Sequence, residues 1–313
     1  VRELDRRGVG MVCSWSPERK DRELAQGLAI ARAQKKLGLR VNVHATSCMS
    51  SFFNGEERTA HVDDRGKPFF DDSFGKMKMG CPFSLDFRKE PMRERVDMFL
   101  REYAAAGLPV DFLFTDWEID GPIEFNKAWE ASKKCVRCRE HIPDIDDFAS
   151  FQKTLRNIRS ELQRFALAEP ALSRFPKALV GNYAVYPHDG WRYWYDYFEY
   201  YVEGQPFKAD QRAKYRKWYD DFPGTGFTFA MPVVYTWYPT FQWYDFENPD
   251  YRWFYNLLLE GSSVGKSTPA DIPVITFVHW HTTAPPEKPD PSVKQFSEEK
   301  YQELLWHLLL RGT

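Results

Sequence analysis

The chain has 313 residues, 43% of them hydrophobic, enough for one large α/β domain with a sizeable core. Its net charge of −2 offers no basic footprint for nucleic acid or an anionic membrane surface, and no long apolar run suggests a membrane span. The N-terminal Val1-Arg2-Glu3-Leu4-Asp5 is charged and lacks the apolar region of a signal peptide. Two readings follow: a processed form of a periplasmic or secreted protein, or an intracellular protein.

Strand-like and helix-like segments then alternate along the chain. Strands are predicted at Gly10–Ser14, Val41–Thr46, Val110–Glu118, Ala178–Tyr186, Phe227–Tyr235 and Val274–Trp280. Helices are predicted at Arg22–Leu37, Pro91–Ala106, Asp147–Ala168, around Trp191–Val202, at Tyr251–Leu259 and at Ser297–Leu310. This alternation predicts parallel strands joined by crossover helices. A TIM-like (β/α)8 barrel lacking one strand at each end is the expected architecture, as a single domain over 1–313. A six-stranded open sheet or an irregular barrel is the alternative. Two long insertions interrupt the rhythm, at about 50–88 and 121–146, each following a strand, where a substrate cleft is commonly built.

The third strand carries two acids at its C-terminal end, in Phe114-Thr115-Asp116-Trp117-Glu118. Residues two apart in a strand share a face, which puts Asp116 and Glu118 about 6.5 Å apart. Two close carboxylates push one another's pKa apart, so one can stay protonated as a general acid while the other stays ionised. Hydrolysis of a glycosidic bond needs this division. A solvated strand end is the plainer reading, but acids are disfavoured in strands. Asp111, at the other end, reads as structural.

The aromatic content supports a sugar cleft: Trp, Tyr and Phe make 17% of the chain. The apolar face of a pyranose stacks on such rings, although a large aromatic core would also use them. Trp117, Tyr183, Tyr186, Tyr235 and Trp237 lie at or just past predicted strand ends, as does His44. In Val278-His279-Trp280-His281, the two histidines share one face and suit substrate hydrogen bonding, a structural role or metal. Asp245 and Glu247 are further carboxylates that could act as nucleophile or base.

Five cysteines, Cys13, Cys48, Cys81, Cys135 and Cys138, are an odd number and no disulfide framework. Cys135-Val136-Arg137-Cys138 has the spacing of a metal or redox pair. No second such pair follows, and His141 is the nearby histidine. Inert or disulfide-linked, structural metal and redox-active readings stay open. No cofactor or metal is assigned.

At the acidic strand the sequence resembles the substrate-assisted barrel glycosidases, the family 18 chitinases and family 56 hyaluronidases, whose fourth-strand motif ends in Asp-Trp-Glu. Phe114 replaces the upstream aspartate of the chitinase pattern, so the likeness leans to the hyaluronidases. Met231-Pro232-Val233-Val234-Tyr235 resembles the chitinase sixth-strand Met-x-Tyr, with spacing longer by two. Asn182-Tyr183-Ala184-Val185-Tyr186-Pro187 is similar to the tyrosine-rich fifth strand of hyaluronidases. The resemblance implies that Glu118 protonates the glycosidic oxygen and a 2-acetamido group of the substrate attacks the anomeric carbon. It also implies that Asp116 orients that group, with Tyr235 or Tyr183 hydrogen-bonded to it. The expected partner is a carbohydrate, with neither nucleic acid nor membrane. A conventional two-carboxylate glycosidase and a non-catalytic carbohydrate-binding barrel are the alternatives.

Overall fold

The computed structural model describes residues 1–74, 77–116, 126–183, 222–231, 233–234, 258, 268–278 and 297–310. The chain divides into two compact units. The first holds Val1–Asn182 and the described part of Asp221–Thr228; the second holds Tyr183 and the described residues of Phe229–Thr313.

The first unit begins with α1 (Arg2–Arg6), β1 (Val12–Ser14), α2 (Lys20–Lys36), β2 (Asn42–His44) and α3 (Thr46–Met49). The segment before the next long helix folds into β3 (His61–Val62), β4 (Pro68–Phe69), β5 (Asp71–Phe74) and β6 (Met77–Met79). After it come α4 (Lys89–Ala105), β7 (Phe112–Thr115), α5 (Asn126–Lys134), α6 (Val136–His141) and α7 (Phe148–Gln163). A π-helical turn at Arg164–Ala168 leads into α8 (Glu169–Arg174), and β8 (Leu179–Asn182) completes the series.

Strands β1, β2, β7 and β8 form a parallel sheet in that order. The unit is therefore mixed α/β, as the alternation predicts. Cys13, Val43, Leu113 and Val180 stand side by side in the register and all are buried. This row is the apolar face of the sheet. On the other side of the pleat lies the half-buried pair His44 and Phe114, with ring centroids 5.0 Å apart. The paired strands β1, β2 and β7 are each shorter than the strands predicted from the sequence.

The strands follow one another in sequence order, and their connecting helices pack side by side: α2 against α4, and α4 against α8. Trp15, just past β1, stacks on Phe99 of α4 with centroids 5.2 Å apart. Asp111 fixes the entry to β7. Its Oδ2 accepts the Val41 N–H at 2.8 Å, while its own N–H donates to the Val41 carbonyl at 2.9 Å. The structural reading of Asp111 is thus the one its contacts bear out.

The insertions are not plain loops. The first makes two antiparallel hairpins, β3 with β4 and β5 with β6, and the second contains α5 and α6. Strands of two to four residues and a six-residue helix are too short to leave a clear periodic signal.

In the second unit, β9 (Val233–Val234) pairs in parallel with β10 (Phe277–Val278), and a parallel bridge joins Ala230 to Val274. Helix α9 (Glu298–Leu310) buries Leu304 and Leu308, four residues apart on one face. The helices predicted around Trp191–Val202 and at Tyr251–Leu259 lie outside the described residues, except for the buried, helical Leu258. No helix among the described residues is long and apolar enough to cross a membrane.

Candidate functional site

The C-terminal ends of three of the parallel strands, β2, β7 and β8, bring together a small polar group with the start of α3. His44 ends β2, Thr46 opens α3, Thr115 ends β7, Asp116 follows it, and Asn182 ends β8. The Asp116 N–H donates to Thr46 Oγ1 at 2.6 Å, and Thr46 Oγ1 lies 2.5 Å from His44 Nε2. A hydroxyl that accepts from an amide can donate its own proton onward, here to an unprotonated Nε2. Burial favours that neutral imidazole by holding the His44 pKa below the usual histidine value. Beside this chain, the buried Thr115 hydroxyl donates to Asn182 Oδ1 at 2.7 Å.

Asp116 is exposed, and it sits one residue beyond the last paired residue of β7. Its amide is held by a side chain from α3 rather than by a strand neighbour. Of the residues expected from the sequence, His44 and Asp116 are thus brought together. Tyr183 is buried in the second unit, its ring edge-on to Phe277 with centroids 5.3 Å apart. Glu118, Trp117, Tyr186, Tyr235, Trp237, Asp245, Glu247, His279, Trp280 and His281 lie outside the described residues.

The first insertion also lines a cleft of about 460 Å³, which includes Ser50, Asn54, Glu56, Arg58, Arg88 and Arg95. Arg88 is tied to the backbone of that lining: one guanidinium nitrogen donates to the carbonyls of Phe52 and Asn54, each at 2.6 Å.

A second cluster was only half legible from the sequence. Cys135 and Cys138 are joined by Cys81, from the first insertion, and by His61 of β3. All four side chains are buried, and their ligating atoms lie within 4.8 Å of one another. Cys81 Sγ is 3.7 Å from Cys138 Sγ and 3.8 Å from Cys135 Sγ, while His61 Nδ1 is 3.7 Å from Cys138 Sγ. Burial alone would lower the His61 pKa, but contacts with the Cys135 and Cys81 sulfurs outweigh it and push it up to about 9. Hydrogen bonds from Cys138 and Cys81 hold the Cys135 thiol below its ordinary range.

His141, the histidine nearest in sequence, is not a member. It is exposed, its Nδ1 lies against the Arg137 carbonyl and its ring stacks on Phe83. Spacing alone does not separate it, since His141 stands one turn past Cys138 as Cys138 does past Cys135; the contacts with Phe83 and the Arg137 carbonyl hold its ring elsewhere. All five cysteines are free thiols, so the disulfide reading is set aside. Cys13 and Cys48 are core residues, with burial raising the Cys48 pKa to about 12. The missing signal was spatial, because Cys81 lies 54 residues before Cys135 and His61 lies 77 before Cys138.

No family model, curated protein or solved structure matches the chain.

Proposed function

We propose that the chain is a glycoside hydrolase of 2-acetamido-sugar glycans, built on a (β/α)8 barrel, with Glu118 as general acid and Asp116 as the residue that orients the acetamido group. One observation carries this reading. Asp116 is exposed at the C-terminal end of β7, an interior strand of a parallel sheet, with its amide fixed by Thr46. Ligands of parallel α/β folds bind at that end of the strands. The barrel is supported by strands that run in sequence order without a reversal, and by successive crossover helices that pack on one another. A doubly wound sheet would reverse its order and alternate its helices between faces.

The chemistry follows from the two acids. Glu118 gives its proton to the glycosidic oxygen, and the bond from that oxygen to the anomeric carbon breaks. The acetamido carbonyl oxygen bonds to the same carbon, forming a cyclic oxazolinium whose N–H is held by the Asp116 carboxylate. Water then adds to the anomeric carbon as the bond from that carbon to the acetamido oxygen breaks, and it loses a proton to Glu118, which restores both the acid and the acetamido group.

The test is turnover of a panel of glycans containing N-acetylhexosamine by the wild type, Glu118→Gln and Asp116→Asn. Glu118→Gln is expected to lose at least ~100-fold in kcat with binding retained. A thiazoline that mimics the cyclic intermediate is expected to inhibit the wild type. Unchanged turnover in Glu118→Gln would remove that residue from the mechanism. A trapped glycosyl-enzyme on another carboxylate, with no thiazoline inhibition, would replace substrate assistance by a conventional nucleophile.

A further inference from the structure

We propose that His61, Cys81, Cys135 and Cys138 hold one zinc ion in a closed tetrahedral site that ties together the segments following β2 and β7. This goes beyond the hydrolase reading and does not depend on it. With Zn–S near 2.3 Å and Zn–N near 2.0–2.1 Å, neighbouring donors of a tetrahedron stand about 3.8 Å apart for two sulfurs and about 3.6 Å for sulfur and nitrogen. The observed edges are 3.7 and 3.8 Å between sulfurs and 3.7 Å between His61 Nδ1 and Cys138 Sγ. Three edges of the donor set thus match such an ion, and all four donor atoms lie within 4.8 Å of one another. A disulfide would need sulfurs about 2.05 Å apart, and the three thiols are free.

Donor type narrows the ion. Three thiolates and an imidazole are a soft, tetrahedral set suited to zinc, and four protein ligands leave no position for water or substrate. On binding, the protons shared among the three sulfurs and His61 pass to solvent, which leaves three thiolates and a neutral imidazole on the ion. The surroundings are those of a structural site. Ala128, Ile142, Phe151 and Leu155 form a dry core with the cysteines, and Phe69 stacks on His61 with centroids 5.2 Å apart. Arg137, between the paired cysteines, reaches across to the other segment. It donates to the Ala60 carbonyl at 3.2 Å, next to His61, and to the Ser84 hydroxyl, three residues past Cys81. Cys135 caps α6 and Cys138 lies in its first turn, the local arrangement that turns two sulfurs toward one centre.

The experiment is elemental analysis of the full chain, expressed with zinc and purified under reducing conditions without a metal-affinity tag. One zinc ion per chain is expected. A strong chelator is expected to lower Tm, and added zinc to restore it. Cobalt(II) put in place of zinc should give intense thiolate charge transfer and the d–d bands of tetrahedral cobalt. Cys138→Ser is expected to lose zinc or to weaken the charge-transfer band, while Cys13→Ala keeps both. Should Cys138→Ser fail to fold, the wild-type zinc content and cobalt spectrum decide the matter alone. Folded wild type that remains without zinc after reconstitution overturns the proposal. So does iron or copper in the isolated protein, or an octahedral cobalt spectrum.

Discussion

Thr46 Oγ1 accepts the Asp116 amide proton at 2.6 Å, joining the first residue of α3 to the first residue past β7. The contact spans 70 positions of sequence and holds the backbone one residue past the end of β7. Removing the hydroxyl with Thr46→Val should cost about 0.5–1.5 kcal/mol, the usual net worth of one hydrogen bond. Urea denaturation should show that loss, and hydrogen exchange at the Asp116 amide should accelerate more than at β7 amides. Thr46→Ser should restore both. Equal protection of Asp116 in Thr46→Val would mean that the hydroxyl does not hold the turn.

His44 gives the site a direction of pH dependence. Its pKa is depressed by burial, so the folded chain resists a proton that the unfolded chain accepts below about 6.5. The stability contributed by neutral His44 is therefore present above about pH 6.5. It falls as pH drops through the depressed folded value. Tm measured from pH 8 to pH 5 should fall more steeply for the wild type than for His44→Gln, which retains an acceptor for Thr46 but does not titrate. Parallel curves would assign the acid sensitivity to other groups.

These two residues mark how far the sequence could be read. His44 and Asp116 were legible because both stand at the end of an apolar run, where side chains leave the core and strand pairing ceases. The sequence pattern puts Thr46 at the end of a strand, whereas it begins a helix; a lone threonine between an alanine and a serine carries no periodic signal to separate the two. The four-stranded parallel sheet was legible from the alternation of strand and helix patterns. The hairpins of the first insertion were not, since pairs as short as His61–Val62 with Pro68–Phe69 are set by long-range packing rather than by local pattern. The cysteine cluster fell between these cases. The pair in α6 is visible as a motif, but His61 and Cys81 join it only through those same hairpins.

The Thr115–Asn182 pair should behave as a buried polar unit. Both side chains are inaccessible, and the hydroxyl donates to the amide oxygen at 2.7 Å. Thr115→Val keeps the shape but takes the donor from Asn182, and should destabilise by ~1–3 kcal/mol. A double-mutant cycle with Asn182→Ala should show a coupling of ~0.5 kcal/mol or more in chemical denaturation. Additive effects would show that the two residues contribute independently, despite lying on adjacent strands.

Gly27 allows α2 to approach the sheet and α4 closely. A Cβ at this position would lie 2.5 Å from Tyr103 Oη, 3.6 Å from Tyr103 Cζ and 3.7 Å from Cys13 Cβ. Alanine would favour the helix by roughly 0.5–1 kcal/mol, since glycine loses more freedom on folding. Against this stands overpacking, at ~1–3 kcal/mol, because Tyr103 is fully buried and stacks edge-on against Trp15 with little room to shift. The clash should dominate, and Gly27→Ala should lower stability. The offending atom is the phenolic oxygen alone, as the next contact is already at an ordinary distance. Tyr103→Phe should therefore remove most of the penalty, so that Gly27→Ala becomes neutral or stabilising in that background. Thermal melts of the four proteins in this cycle decide it: a Gly27→Ala penalty that persists with phenylalanine at position 103 would place the conflict in the helix backbone instead.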